Sequence, residues 1–335
     1  MNRVFKSRHF YLAAFIVAAG SVTLVLSISH RGYGAPRSAA LPPELGADTS
    51  LHGKQVFPAD DPWNQDVSQD PLDPHSDKLI ASIGLGKPLH PDFGSEYQGA
   101  PMGIPYVIVA GNQRKVKVAF EYRGESDPGP YPIPPDAPIE GGPKSDGDRH
   151  VLIIDRDNWI LYELFSVQPP ANGKGWKAGS GAVWDLKKVS FGQRPKGATS
   201  ADAAGLPIFP GLVRYDEVAE QKEIRHALRF TIVKSRRAYV PPATHYASKR
   251  TDPNLPPMGM RVRLKAGYDL SGFSPNCQVI LKALKKYGMI VADNGSDWFL
   301  SGDHDSRWDN EEMHTLTKVK GADFEVLKMG PVTTR

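Results

Sequence analysis

The stretch Val151-Leu-Ile-Ile-Asp-Arg-Asp-Asn-Trp-Ile-Leu-Tyr-Glu-Leu-Phe165 decides the fold class. Two short apolar runs, 151–154 and 160–165, flank the polar Asp155-Arg-Asp-Asn158. β-Branched and aromatic side chains suit a pleated surface, so this composition predicts two strands joined by a tight turn. The same signature recurs at 104–109, 116–122, 226–233, 238–240, 261–266, 289–292 and 298–300. Between the last two stands Asp293-Asn-Gly-Ser296, and Asn-Gly between apolar runs predicts a hairpin.

Helical signals are fewer. Residues 77–83 have Ser76 as a cap and Gly84 as a stop. In 275–287, Val279, Ile280, Ala283 and Leu284 share one face and Lys282, Lys285 and Lys286 the other, with Gly288 closing the helix. A shorter helix is expected over 309–317. Thirty Pro and 32 Gly fall in clusters such as Asp127-Pro-Gly-Pro-Tyr-Pro-Ile-Pro-Pro-Asp136 and Glu140-Gly-Gly-Pro143, which mark long ordered loops. The expected architecture is a mainly-β, two-sheet β-sandwich, jelly-roll-like, with one or two peripheral helices and long Pro/Gly-rich loops.

Charge is uneven along the chain. The first forty residues hold Arg3, Lys6, Arg8, Arg31 and Arg37 and no Asp or Glu, around the uncharged apolar run 10–28. A basic start and an apolar core predict an export signal or a retained membrane anchor. Removing those five from the 41 Lys and Arg leaves 36 against 37 Asp and Glu, so the rest of the chain is nearly neutral. A near-neutral surface argues against nucleic-acid binding. The single cysteine, Cys277, rules out an intramolecular disulfide. The expected organisation is a leader over 1–40, a linker over 41–55 and one β-rich domain over 56–330. An exported, periplasmic or extracellular monomer is expected, touching a membrane only through residues 10–28.

Three segments carry a resemblance: Phe57-Pro-Ala-Asp-Asp-Pro-Trp-Asn64, Thr199-Ser-Ala-Asp-Ala-Ala-Gly-Leu-Pro-Ile-Phe-Pro-Gly-Leu-Val-Arg-Tyr-Asp216 and Tyr287-Gly-Met-Ile-Val-Ala-Asp-Asn-Gly-Ser-Asp-Trp298. They resemble an uncharacterised family of exported bacterial β-rich proteins. That resemblance implies export and brings no activity and no functional residues. Separately, Arg263-Leu-Lys-Ala-Gly-Tyr268 is similar to the Lys-x-Gly-x-Tyr strand of jelly-roll alginate lyases, whose other signatures this chain lacks.

Several groups of residues can carry chemistry. On a strand, Arg261, Arg263 and Lys265 alternate with Val262, Leu264 and Ala266, so three cations line one face while the apolar residues enter the core. They read as a groove floor for an acidic or hydroxyl-rich glycan, joined by Arg229, or as a solvated face paired with neighbouring acids. His226 reads as structural. His245 and Tyr246, in a proline-rich loop, suit a base and an acid. In Ser145-Asp-Gly-Asp-Arg-His150, Asp148 can orient His150 as a base, and no metal-ligand spacing is specific enough to assign a metal. Glycoside hydrolysis needs two carboxylates, for which Asp202, Asp216, Glu217, Glu163 and Asp293 are available. Asp202 and Asp216 flank a proline-stiffened apolar stretch that fixes their positions. Trp176 and Trp298, beside Gly and Asp, offer ring faces for sugars, or else anchor loops onto the sheet.

The chain has no Gly-x-Ser-x-Gly elbow and no phosphate-binding Gly-x-x-x-x-Gly-Lys loop. The expectation is therefore a cofactor-free exported enzyme acting on a polysaccharide or oligosaccharide, as a glycoside hydrolase or a polysaccharide lyase. The alternative from another class is a non-catalytic envelope or glycan-binding protein.

Overall fold

In the computed structural model, residues 41–170 and 175–334 are described. The expected leader over 1–40 and its apolar run 10–28 lie outside the described residues. Within them, no helix is long and apolar enough to cross a membrane.

The 151–165 segment folds as its composition predicts. Val151–Asp155 and Ile160–Phe165 pair antiparallel, with Val151 opposite Leu164 and Asp155 opposite Ile160. Asp155 closes the turn, accepting from the Asn158 amide at 3.0 Å and the Asn158 side chain at 2.8 Å. Around this hairpin a five-stranded sheet runs in the order Gly46–Ala47, Tyr106–Val109, Val151–Asp155, Ile160–Phe165, Ser180–Asp185. The Tyr106–Val109 and Val151–Asp155 strands are parallel and the other neighbours antiparallel.

The second sheet has six strands in the order Phe324–Val326, Arg261–Leu264, Met289–Asn294, Leu228–Ile232, Phe299–His304, His90–Gly94. It too is mixed, with parallel pairing of Leu228–Ile232 to Met289–Asn294 and of Phe299–His304 to His90–Gly94. The protein is thus mainly β, with two large sheets sharing one hydrophobic core. The parallel neighbours set its strand order apart from a purely antiparallel jelly roll.

That core takes Leu152, Ile154, Leu161 and Trp184 from the five-stranded sheet and Leu228, Phe230, Val262, Val291 and Leu300 from the six-stranded one. The five-stranded sheet is also buried on its other face. Val151, Ile153, Tyr162 and Leu164 form a second cluster with Tyr131, Ile133 and Ile139. The proline-rich 127–143 segment is therefore a lid over a sheet face, which explains why the 151–154 run is apolar at every position instead of alternating.

The hairpin expected at 293–296 does not form. Leu228–Ile232 inserts between Met289–Asn294 and Phe299–His304 and pairs with both. The chain crosses the end of that strand through Gly295, whose amide donates to the Ile232 carbonyl at 2.9 Å and where a Cβ would meet Thr231 Oγ1 at 2.9 Å. An Asn-Gly turn reverses the chain either way, and burying Leu228, Phe230 and Ile232 in the middle of the sheet outweighs the local pairing. Residues 238–240 contribute only isolated bridges at Tyr239.

The 41–55 segment is not a linker. Gly46–Ala47 pairs with Tyr106–Val109, and Leu51 is fully buried in the main core. The helix Pro275–Lys286 begins at Ser274, whose Oγ accepts from the Cys277 amide, and ends against Gly288. Gly288 has φ +67°, and a Cβ there would lie 2.3 Å from the Val262 carbonyl oxygen. The other helices, Ser76–Ile83 and Asn310–His314, lie within the expected ranges, but Ser76 is not a cap: it is the first helical residue, and its Oγ accepts from the Val326 amide instead; at Asn310–His314, Asp309 accepts from the amides of Glu311 and Glu312.

Candidate functional site

An open pocket of about 380 Å³ lies where strand ends of the two sheets meet. Phe165 and Ser180, opposite one another in the five-stranded sheet, form one wall. Asp293 and Asn294, at the end of a six-stranded-sheet strand, form another. Asp148, Asp202 and His245 come from three loops between them, with Tyr122 and Glu125 also in the lining.

The Thr199-Ser-Ala-Asp-Ala-Ala-Gly205 segment is wound tightly enough to fix Asp202. Ser200 Oγ accepts from the Asp202 amide at 3.0 Å, and Ser180 Oγ donates to the Ser200 carbonyl at 2.9 Å. The Ala204 amide donates to the Ala292 carbonyl at 3.0 Å, tying the loop to the strand that ends in Asp293. Gly205 has φ +70°, and a Cβ there would sit 2.5 Å from the Ala198 carbonyl oxygen. The amides of Thr244 and His245 both donate to the Ala204 carbonyl, so His245 is fastened to the same loop.

Asp202 is 1% exposed and Arg229 4%. Arg229 donates to Asp202 Oδ1 at 2.5 Å and to Ser301 Oγ at 2.8 Å. Asp202 Oδ2, also buried, has no hydrogen-bond partner. Burial pushes the Asp202 carboxyl up to about 7, against the pull of Arg229 and with the help of the Asp293 charge. Asp293 is half-buried and is likewise raised by burial, with Arg229 and the Asn294 amide opposing and Asp148 adding to it. His245 Nδ1 lies 2.9 Å from the Ala203 carbonyl. A carbonyl only accepts, so Nδ1 carries a proton and donates it there.

His150 sits behind this wall. Its Nδ1 is 2.7 Å from Glu140 Oε2 and its Nε2 3.2 Å from the Ala201 carbonyl. Burial alone would lower its pKa, but Glu140 lifts it to about 9. With acceptors on both nitrogens, His150 is a buried imidazolium and not a general base. Its orienting partner is Glu140 and not Asp148. No local signal pointed to Glu140, which lies ten residues before His150, within the proline-rich lid.

Other expected site residues are structural. Arg261 donates to the carbonyls of Tyr287, Pro62 and Gln65, and burial lowers it to about 10. Arg263 pairs with Glu325 at 2.7 Å and donates to the carbonyls of Val67 and Asp70; Lys265 donates to the Ala322 carbonyl. A cationic groove floor is therefore absent there. These side chains hold the 62–70 loop and the edge strand, because carbonyls left by irregular backbone need donors. Val262 and Leu264 enter the core as the alternation requires.

Asp216 accepts from the Leu51 amide at 2.8 Å and lies beside Arg214, outside the pocket. Tyr246 stacks on His245 with centroids 5.6 Å apart, but its hydroxyl accepts from Arg237 Nε and it lines no part of the pocket. Trp298 is fully buried between Phe230 and Phe324, and Trp176 is buried under the lid, so neither presents a face to a sugar. Glu163 accepts from the amides of Ile208 and Phe209 and from Trp184 Nε1. His226 is structural as expected, paired with Glu217 at 2.9 Å. Glu125 and Tyr122 are pocket residues with no signal in the sequence.

No protein-family model, curated protein or solved structure matches the chain.

Proposed function

We propose that the protein is an exported glycoside hydrolase whose active site is the Asp148–Asp202–Asp293–His245 pocket. The observation that carries this reading is the convergence of three aspartates and a histidine, from separate chain segments, on one open cavity. Asp293, half-buried and held above the ordinary carboxylate range, is the proton donor to the leaving oxygen. Asp148, exposed at the rim, is the base or nucleophile. The buried Asp202–Arg229 pair is the floor beneath them, and burial, not this pair, raises Asp293. Tyr122 and Phe165 supply ring faces for the apolar side of a sugar.

Hydrolysis is favoured over elimination because elimination needs a free cation to neutralise a uronate. Arg229 is engaged by Asp202, and Arg261, Arg263 and Lys265 are engaged elsewhere. The test is a panel of neutral, acidic and amino glycans assayed for new reducing ends and for the ultraviolet absorbance of unsaturated sugars. New ends without absorbance, with kcat lowered on the order of 10²–10⁴-fold in Asp293→Asn, are expected. Absorbance would make the enzyme a lyase. Binding without turnover, unchanged in Asp293→Asn, would leave a glycan-binding protein.

A further inference from the structure

We propose that the pocket takes a glycan bearing protonated amines, a free amino sugar and not an acidic or N-acylated one; this rests on the glycan reading above. The lining holds four carboxylates, from Glu125, Asp148, Asp202 and Asp293, and no Lys or Arg. Three cations behind the lining are already matched. Arg229 faces Asp202, His150 faces Glu140, and Arg194, which donates to the Glu125 carbonyl, pairs with Asp127 at 2.8 Å. Among the described residues no ion pair reaches Glu125, Asp148 or Asp293.

The second, independent observation is Asp202 itself. It is almost fully buried, it lines the pocket, and its Oδ2 has no donor. A buried carboxylate oxygen without a donor is costly, and an ammonium or amine N–H from the ligand would satisfy it. A metal ion is a poorer match, since among the described residues no three His, Cys, Asp or Glu side chains are grouped to hold one. The charge sought is instead one spread along an organic chain. The exposed ring of Tyr122 at the rim favours the same ligand, because an ammonium is attracted to an aromatic face as a sugar C–H is. A uronate would bring like charge onto a lining that holds no Lys or Arg to receive it.

The test is calorimetric titration of the full chain with a chitosan-derived glucosamine tetramer, its fully N-acetylated counterpart, a galacturonate tetramer and spermidine, at mildly acidic pH. The glucosamine tetramer is expected to bind at least about tenfold tighter than the acetylated one, with the preference shrinking as salt rises. Glu125→Gln, a change at an exposed side chain, should reduce the preference about three- to tenfold and leave the melting temperature unchanged. Equal or tighter binding of the acetylated or galacturonate tetramer would overturn this inference and leave the hydrolase reading standing. Spermidine binding as tightly as the glucosamine tetramer would overturn the sugar. Failure of all four to bind would overturn the inference, and hydrolysis of other glycans in the panel would then show that only the amine was wrong.

Discussion

Arg263 joins Glu325 to the carbonyls of Val67 and Asp70 with its side chain mostly covered, so its loss leaves the Asp70 carbonyl and the Glu325 carboxylate without donors and the Val67 carbonyl with only the Asp70 amide. Arg263→Ala is expected to cost about 2–3 kcal/mol of stability while turnover per folded molecule stays unchanged. Denaturant titration beside an activity assay checks both parts. Loss of turnover at unchanged stability would restore Arg263 to a ligand site. The Asp202–Arg229 pair behaves differently because both partners are buried. Removing one partner strands the other, so Arg229→Met alone should cost about 3–5 kcal/mol, and the double variant Asp202→Asn/Arg229→Met less than the sum of the single changes. A double-mutant cycle reporting simple additivity would mean that the two charges do not depend on each other. At this scale the sequence placed the right residue types, but it could not say which cation meets which acid. Asp202, Arg229 and Asp293 come together only across loops and strands separated by many residues.

Between residues and the whole lie the elements, where the insertion of Leu228–Ile232 into the Asn-Gly turn has the largest consequence. The turn carries Trp298, in the left-handed region at φ +61°, into the stack between Phe230 and Phe324. Trp298 Nε1 donates to the Gly84 carbonyl, which also ties down the end of the Ser76–Ile83 helix. Trp298→Ala is therefore expected to cost about 3–5 kcal/mol, with ligand affinity of the surviving folded fraction unchanged. An affinity loss without a stability loss would return Trp298 to the site. The strands themselves were legible from composition: 160–165 matches the expected bounds, and the strands at 151, 228, 261 and 289 each lie within a residue or two of them. Partner choice was not legible, because a two-residue turn fixes a chain reversal but not whether a third strand enters between its arms. The proline-rich lid was legible as ordered loop, but its role as a sheet cover depends on Tyr131 and Ile133 finding Tyr162 and Leu164.

Over the whole molecule, buried titratable groups give stability a direction with pH. His150 is raised to about 9 in the folded state, so its contribution is complete below its unfolded pKa of about 6.5 and is lost as pH climbs through about 9. Glu163 and Asp202, each raised by burial to about 7, lose stability as pH rises from the ordinary carboxylate range to about 7, the same direction. The melting temperature is expected to fall between about pH 4 and about pH 9, with a shallower fall above pH ~7 in His150→Gln. A flat profile, or an unchanged slope in that variant, would show that His150 is not the buried cation described. The sequence by itself determined the mainly-β class, the strands beginning near 151, 160, 228, 261 and 289 and the helix that Gly288 closes, because these rest on local dihedral preference and on the period of apolar residues. The tertiary structure alone decided which charges are neutralised, which tryptophans are core and which carboxylates share a cavity. Those outcomes depend on contacts between segments far apart in the chain, whose burial sets their chemistry.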